Sequence, residues 1–329
     1  LDHLTQFYAF SLPGLSLVFH GNSDFTVGSN ATIPEGTTLF IGDGVVKVTR
    51  GNNSFNGNSF EFFQGDGVLD LSEGFGTLRT SLVINTYQDG KGIVKLTDPS
   101  HFYHKVGALG TYIKKFELIM TSAEKETILL NNIYSKEMLV QGGNLNARIA
   151  LNTDKLNLQN TNFNISEYPN ASYNINRIEA DNSTLTLGIK KLILDGGTNS
   201  SATNNLNIST VFYGQGGGHI EVQGDGTNFN LANATLVTID LTDNSTLPLT
   251  SGRSFDLFAS SDGGSFTLSN ANISFTQPDK PLINWAYNNG TLTQTLVPDV
   301  KAALITILTN NKASGNIEEN CDILLDVQN

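Results

Sequence analysis

Only one cysteine, Cys321, occurs in 329 residues. That excludes an intramolecular disulfide framework and any multi-cysteine metal site, so packing and backbone pairing must hold the chain. No apolar run is long enough to cross a membrane as a helix, and no signal peptide begins at Leu1. A first residue other than Met points to a processed or excised piece of a longer product. Cations are scarce: 19 Lys and Arg stand against 31 Asp and Glu, for a net charge of −12. Lys114-Lys115 and Lys190-Lys191 are isolated pairs, which argues against nucleic-acid binding because phosphate recognition needs clustered cations. Charged residues make up 15%, too few for a charge-driven disordered chain. An acidic balance suits a soluble extracellular or cell-surface protein.

Helical periodicity is also sparse. Leu1–Phe10 reads as a turn of helix or a capping strand, and Ala123–Leu130 fits helix and strand equally. Asp299–Leu308 is the best helical segment: Pro298 and Asp299 form a start signal, and Val300, Leu304, Ile307 and Leu308 share one face.

What the chain has in abundance is a short apolar-alternating segment that keeps returning between turns. It appears at Thr38–Phe40, Val68–Leu71, Ile93–Leu96, Phe116–Ile119, Leu156–Leu158, Leu185–Leu187, Ile220–Val222 and Phe266–Leu268, among other places. Gly42-Asp43-Gly44, Gly65-Asp66-Gly67 and Gly224-Asp225-Gly226 punctuate it with turn chemistry. Asparagine fills roughly one position in nine, against about half that in ordinary globular chains. It tolerates left-handed backbone and closes local turns with its side-chain amide. Segments this short cannot bury a face alone and become stable only by stacking. The recurrence, at roughly 20–25 residues, favours an all-β, parallel β-helix over a β-sandwich or large antiparallel assembly. The expected layout is a β-helical unit over 1–298, with an N-terminal cap over 1–15 and a C-terminal capping region over 236–297. A helical or irregular tail follows over 299–329. Two stretches interrupt the pattern: a loop over Asp98–Gly110 and a small, polar corner loop over 195–218.

Two stretches carry a family resemblance. The first runs through Gly92-Ile-Val-Lys-Leu-Thr97, Val106-Gly-Ala-Leu-Gly110, Lys115-Phe-Glu-Leu-Ile119, Thr127–Tyr134 and Leu139-Val-Gln-Gly-Gly143. It resembles the repeats of rickettsial surface-cell-antigen autotransporters, the outer-membrane-protein-B-like adhesins. The second, Leu247–Phe258 with Gly264-Ser-Phe266 and Trp285-Ala-Tyr287, resembles the end of a type V autotransporter passenger, where a strand pair and an aromatic turn cap the β-helix. The resemblance touches about half of the chain. It implies a right-handed parallel β-helix on the bacterial cell surface, outer-membrane-anchored or released. It also implies adhesion to or invasion of host cells through a surface receptor or matrix protein. In such a protein a C-terminal outer-membrane β-barrel would follow, and no series of alternating ten-residue strands follows Trp285 here.

Chemistry-bearing motifs are weak. His101 and His104 form H-x-x-H beside Phe102 and Tyr103, but no Cys or paired carboxylate completes a metal set. These four residues are instead the expected partner-binding patch, as exposed aromatics of the Asp98–Gly110 loop; folding over the solenoid to shield its edge strands is the other reading of that loop. Ser59 and Ser254 each stand two residues after a glycine, yet neither completes G-x-S-x-G, and no G-D-S-G occurs. A carbohydrate-active β-helix would need two carboxylates across a cleft. Asp195, Glu221, Asp225 and Asp240 are the candidates, although turn formation explains most of them, and Trp285 is the single tryptophan. Gly214–Gly218 lacks the Lys-Ser/Thr of a phosphate loop. The N-x-S/T triplets at Asn30, Asn164, Asn170, Asn182, Asn207, Asn233 and Asn244 are expected by chance in so Asn-rich a chain. No catalytic set, metal or cofactor is expected. The leading reading is a non-catalytic adhesin, with a carbohydrate-active enzyme and an inert stalk as alternatives.

Overall fold

The computed structural model describes residues 16–27, 33, 35–50, 58–73, 82–166, 173–197, 199–213, 216–242, 252–268, 272–276 and 283–297. Every named element among them is a β-strand. The recurring segments stack as the parallel β-helix their pattern predicts, each coil pairing with the next in register.

Three faces result. The first begins with Ser16–Phe19, Thr38–Ile41, Ser59–Phe62 and Val83–Thr86. It continues through Lys105–Val106 and the leading residues of three longer strands to Lys191–Asp195, His219–Gln223 and Phe258–Ser261. The second face runs from Ser23–Val27 through Val45–Arg50, Val68–Glu73, Lys91–Thr97 and Ile113–Ile119, ending at Asn228–Asn230 and Ser265–Thr267. The third is described from His101–Phe102 onward. It passes through Glu126–Leu129, Asn144–Ala147 and Asn162–Asn164 to Ala234–Asp240 and Ile273–Thr276. In mid-chain one strand serves several faces: Tyr173–Gly188 bends twice and contributes to all three.

Alternation explains the core. On the second face Val46, Leu69, Val94, Phe116, Met138, Leu156 and Ile178 occupy one in-register inward row and are all fully buried. Burying each such side chain stabilises the fold by about 1.5–3 kcal/mol. Where the row reaches Ser200, also fully buried, the hydroxyl accepts the Ile178 N–H at 2.9 Å, so the polar atom is satisfied.

The corner between the second and third faces is a column of left-handed residues. Asp98, Asn160, Asn182 and Asn204 have φ between 46° and 52°. The Asn182 amide donates to Asn160 Oδ1 at 2.8 Å, and the Asn204 amide donates to Asp181. In the Asn160 coil's predecessor Gly142 (φ 75°) takes the corner, where a Cβ would approach Met120 O at 2.2 Å. The excess asparagine therefore does part of what composition suggested: it supplies backbone conformations that most residues resist, and it hydrogen-bonds along the axis.

At the C-terminal end, Arg253–Asp256, Thr291–Leu296 and Ile283–Asn288 form a separate antiparallel sheet. Asn289 (φ 43°) and Gly290 (φ 89°) close its hairpin with the two-residue turn that an Asn-Gly pair favours. The Gly290 carbonyl accepts from Leu257 and Phe258 N–H at 2.8 and 3.1 Å, and a Cβ at Gly290 would meet Phe266 at 2.6 Å. Phe255 stacks on Phe212 at 4.5 Å, and Tyr287 packs on Phe275 at 5.9 Å. The hairpin thus covers part of the edge left by the last coil.

Three sequence expectations change. Asp98–Gly110 is not simply a loop: His101–Phe102 and Lys105–Val106 each pair into the solenoid. Residues 195–218 hold the long strand Asn199–Thr210, because Ser200 and Ala202 are small enough to face inward. Ala123–Leu130 resolves to a strand, Glu126–Leu129. The expectations for Leu1–Phe10, the cap over 1–15 and the segment 299–329 lie outside the described residues.

The corner column predicts a graded mutational response. Asn182→Gly keeps the backbone conformation and loses only the amide hydrogen bond, about 0.5–1.5 kcal/mol. Asn182→Ala adds the left-handed penalty of about 1–2 kcal/mol. Urea denaturation should rank wild type, Gly, then Ala; equal midpoints for the two variants would refute the corner account.

Candidate functional site

The four residues expected to form an exposed aromatic patch divide by alternation. Phe102 is fully buried, with its ring 5.4 Å from Phe116 and 5.0 Å from His104. His104 is 1% exposed, and its Nδ1 accepts the Leu82 N–H at 3.1 Å. These two are core residues, which corrects the expectation that all four are exposed. His101 and Tyr103 point the other way, half-buried, their rings stacked at 5.9 Å and 13°. Among the described residues no group of three His, Cys, Asp or Glu side chains could hold a metal ion.

The acidic candidates are also dispersed. Glu221 faces outward from the first face, where it takes hydrogen bonds from Lys191 at 2.5 Å, Gln223 at 2.7 Å and Ser261 at 2.8 Å. The Lys191 ammonium, with the Gln223 and Ser261 donors, outweighs partial desolvation and holds this carboxyl down at about 2. A general acid needs a shift in the opposite direction. Asp195 and Asp225 are exposed at the turn following the first face. Asp240 is on the third face, its Oδ1 accepting the Thr242 N–H at 3.0 Å. The hydroxyls of Ser59 and Ser254 bond to Thr38 and Thr293, not to a base.

The third face carries a site that motif-reading overlooked. Asn144-Leu-Asn146, Asn162-Phe-Asn164, Thr184-Leu-Thr186, Asn207-Ile-Ser209 and Thr238-Ile-Asp240 repeat one polar-apolar-polar unit. The central residue of each unit enters the core: Leu145, Phe163, Leu185, Ile208 and Ile239 are at most 1% exposed. The flanking residues therefore stand outward in two columns. One is Glu126, Asn144, Asn162, Thr184, Asn207 and Thr238; the other is His101, Ile128, Asn146, Asn164, Thr186, Ser209 and Asp240. Between them lies an open groove of about 650 Å³, bordered by Glu124, Glu126 and Asp240 and lined otherwise by Asn, Thr and Ser.

No cation lines this groove. Many of the described lysines, with Arg177, are engaged elsewhere. On the second face Lys95 and Lys115 flank Glu117 at 3.4 and 3.0 Å, while Lys155, at 2.8 Å, and Arg177 hold Glu179. At the turns between first and second faces Lys91 and Lys114 bind Asp66, and Lys136 bridges Asp89 and Asp154.

Hydrogen bonding differs along the groove. In the earlier coils amides are committed: Asn162 donates to Asn144 Oδ1 at 2.7 Å, Asn144 donates to the Ala123 carbonyl at 2.9 Å, and Asn146 donates to Glu126. In the middle coils the Thr184, Thr186 and Ser209 hydroxyls make no hydrogen bond among the described residues, and Asn207 Oδ1 is buried without a partner. A buried acceptor left in that state costs about 1–3 kcal/mol. The sequence signal is the recurring N-x-N, T-x-T and N-x-S triplet, of which only the strings at Asn164 and Asn207 stand out as motifs, as N-x-S acceptor sites expected by chance. No known protein family, curated protein or solved structure matches this chain.

The Glu221 arrangement gives a pH prediction. A carboxyl held below its ordinary value of 4.5 contributes stability that is fully present above that pH and is lost as pH falls towards about 2. Asp66, Asp89, Asp98 and Glu179 are lowered too, so Glu221→Gln should reduce the acid slope of stability without abolishing it. At neutral pH it should lose about 1–3 kcal/mol. Chemical denaturation from pH 2 to 7 checks this; an unchanged slope would count against the assigned role.

Proposed function

We propose that this chain is a non-catalytic adhesive module, a passenger segment of a type V autotransporter displayed on a bacterial surface, which binds a host-cell receptor or matrix protein. The observation that supports it best is the outward polar column from Asn146 through Asn164, Thr186 and Ser209 to Asp240, which the buried Ile128 separates from His101. The inward residue of each triplet builds the core, and the outward hydroxyls of Thr184, Thr186 and Ser209 are available for recognition. His101 and Tyr103 stand beyond the head of this column, making them the members of the sequence-predicted patch that a partner can reach. The resemblance at Leu247–Tyr287 is in keeping with the C-terminal hairpin packed on the last coil.

The carbohydrate-active alternative has less support: Glu221 is held ionised, and Asp240 projects from a different face. Adhesion is tested with purified chain immobilised on beads and offered to cultured epithelial cells and to wells coated with matrix proteins. Saturable binding, absent from heat-unfolded chain, is the expected result. No binding to any of these surfaces would leave the inert stalk as the better reading.

A further inference from the structure

We infer that the third-face groove is a binding site for a neutral, linear oligosaccharide lying along the solenoid axis. The inference rests on reading the chain as a binding module and adds the chemical class of ligand.

Four observations converge on that class. The groove has no lysine or arginine, and carboxylates border it. A sulfated or phosphorylated polymer would meet like charge with nothing to neutralise it. Its lining is amide and hydroxyl, with no apolar pocket to anchor a peptide side chain or a lipid. The strands beneath are already paired on both sides from Glu126–Leu129 to Ala234–Asp240, so a peptide finds no open sheet edge to extend. Finally, the polar columns repeat at strand spacing over a length of about 24 Å. An extended polymer of similar, hydroxyl-rich units matches that repetition, and a compact ligand does not.

Donors and acceptors are arranged accordingly. The uncommitted hydroxyls of Thr184, Thr186 and Ser209 line the middle of the groove. Sugar hydroxyls both donate and accept, so one ring can bond to neighbouring threonines together. The stacked His101 and Tyr103 rings beyond the head of the column add an aromatic surface for a terminal unit.

Isothermal titration with neutral linear hexasaccharides of glucose, mannose and N-acetylglucosamine tests this, with the trisaccharides and a heparin hexasaccharide as comparators. At least one neutral hexamer is expected to bind, at least tenfold more tightly than its trimer and than heparin. The triple variant T184V/T186V/S209A should bind it at least tenfold more weakly while keeping the parent melting temperature, since those hydroxyls bond to no described residue. Failure of every neutral hexamer, tighter binding of heparin, or full affinity in the triple variant would each overturn the site. Cell adhesion without glycan binding would sink this inference and leave the adhesive reading standing; glycan binding without cell adhesion would do the reverse.

Discussion

Parallel pairing of each coil on its neighbours is the constraint on which the rest of this structure depends. A strand of four residues has no stable existence alone; its N–H and C=O groups are satisfied only by the coils above and below. That requirement favours corners of one geometry, and between the second and third faces most coils share it, Met120 excepted. The left-handed column Asp98, Asn160, Asn182 and Asn204 is the repeated corner made visible. Departures are accommodated between strands: coils are offset by 18 residues at Ser135 and Thr153, and by 36 at Thr238 and Ser274. The longer coil carries Arg253–Asp256, which joins the C-terminal hairpin.

Stacking also decides how charge is distributed. In-register pairing brings Lys95 beside Glu117, and Lys155 reaches Glu179 diagonally from its place opposite Arg177, so the second face neutralises itself. Lys91, Lys114 and Lys136 are engaged by the turn aspartates. With few cations to begin with, the third face is left with amides, hydroxyls and a few carboxylates. Its character as a surface for neutral polar ligands follows from this partition and from no single motif.

Much of this was legible in the sequence, but unevenly. The alternation in Val68–Leu71 or Leu185–Leu187 announced both strand and buried side. The segment His101-Phe102-Tyr103-His104 was misjudged because Pro99 and four aromatic or polar rings resemble a loop. Its period of two nevertheless separates Phe102 and His104 from His101 and Tyr103. Asn199–Thr210 was taken for a corner because its inward residues, Ser200 and Ala202, are not the large apolar ones that usually mark a core. The repeated polar triplets were visible as well, but as isolated three-residue strings they carried no indication that they align.

The sequence by itself determined that this chain is built of short strands and tight turns, that it must stack to be stable, and that its cations are few and unclustered. Only the tertiary structure decided which residues share a column. Asn144, Asn162, Thr184 and Asn207 become neighbours through pairings between coils. Nothing local sets that register, and a slip of one residue would send Leu145 and Phe163 outward and bury the asparagines in their place. The hydrophobic core fixes the register, and the outward columns follow from it.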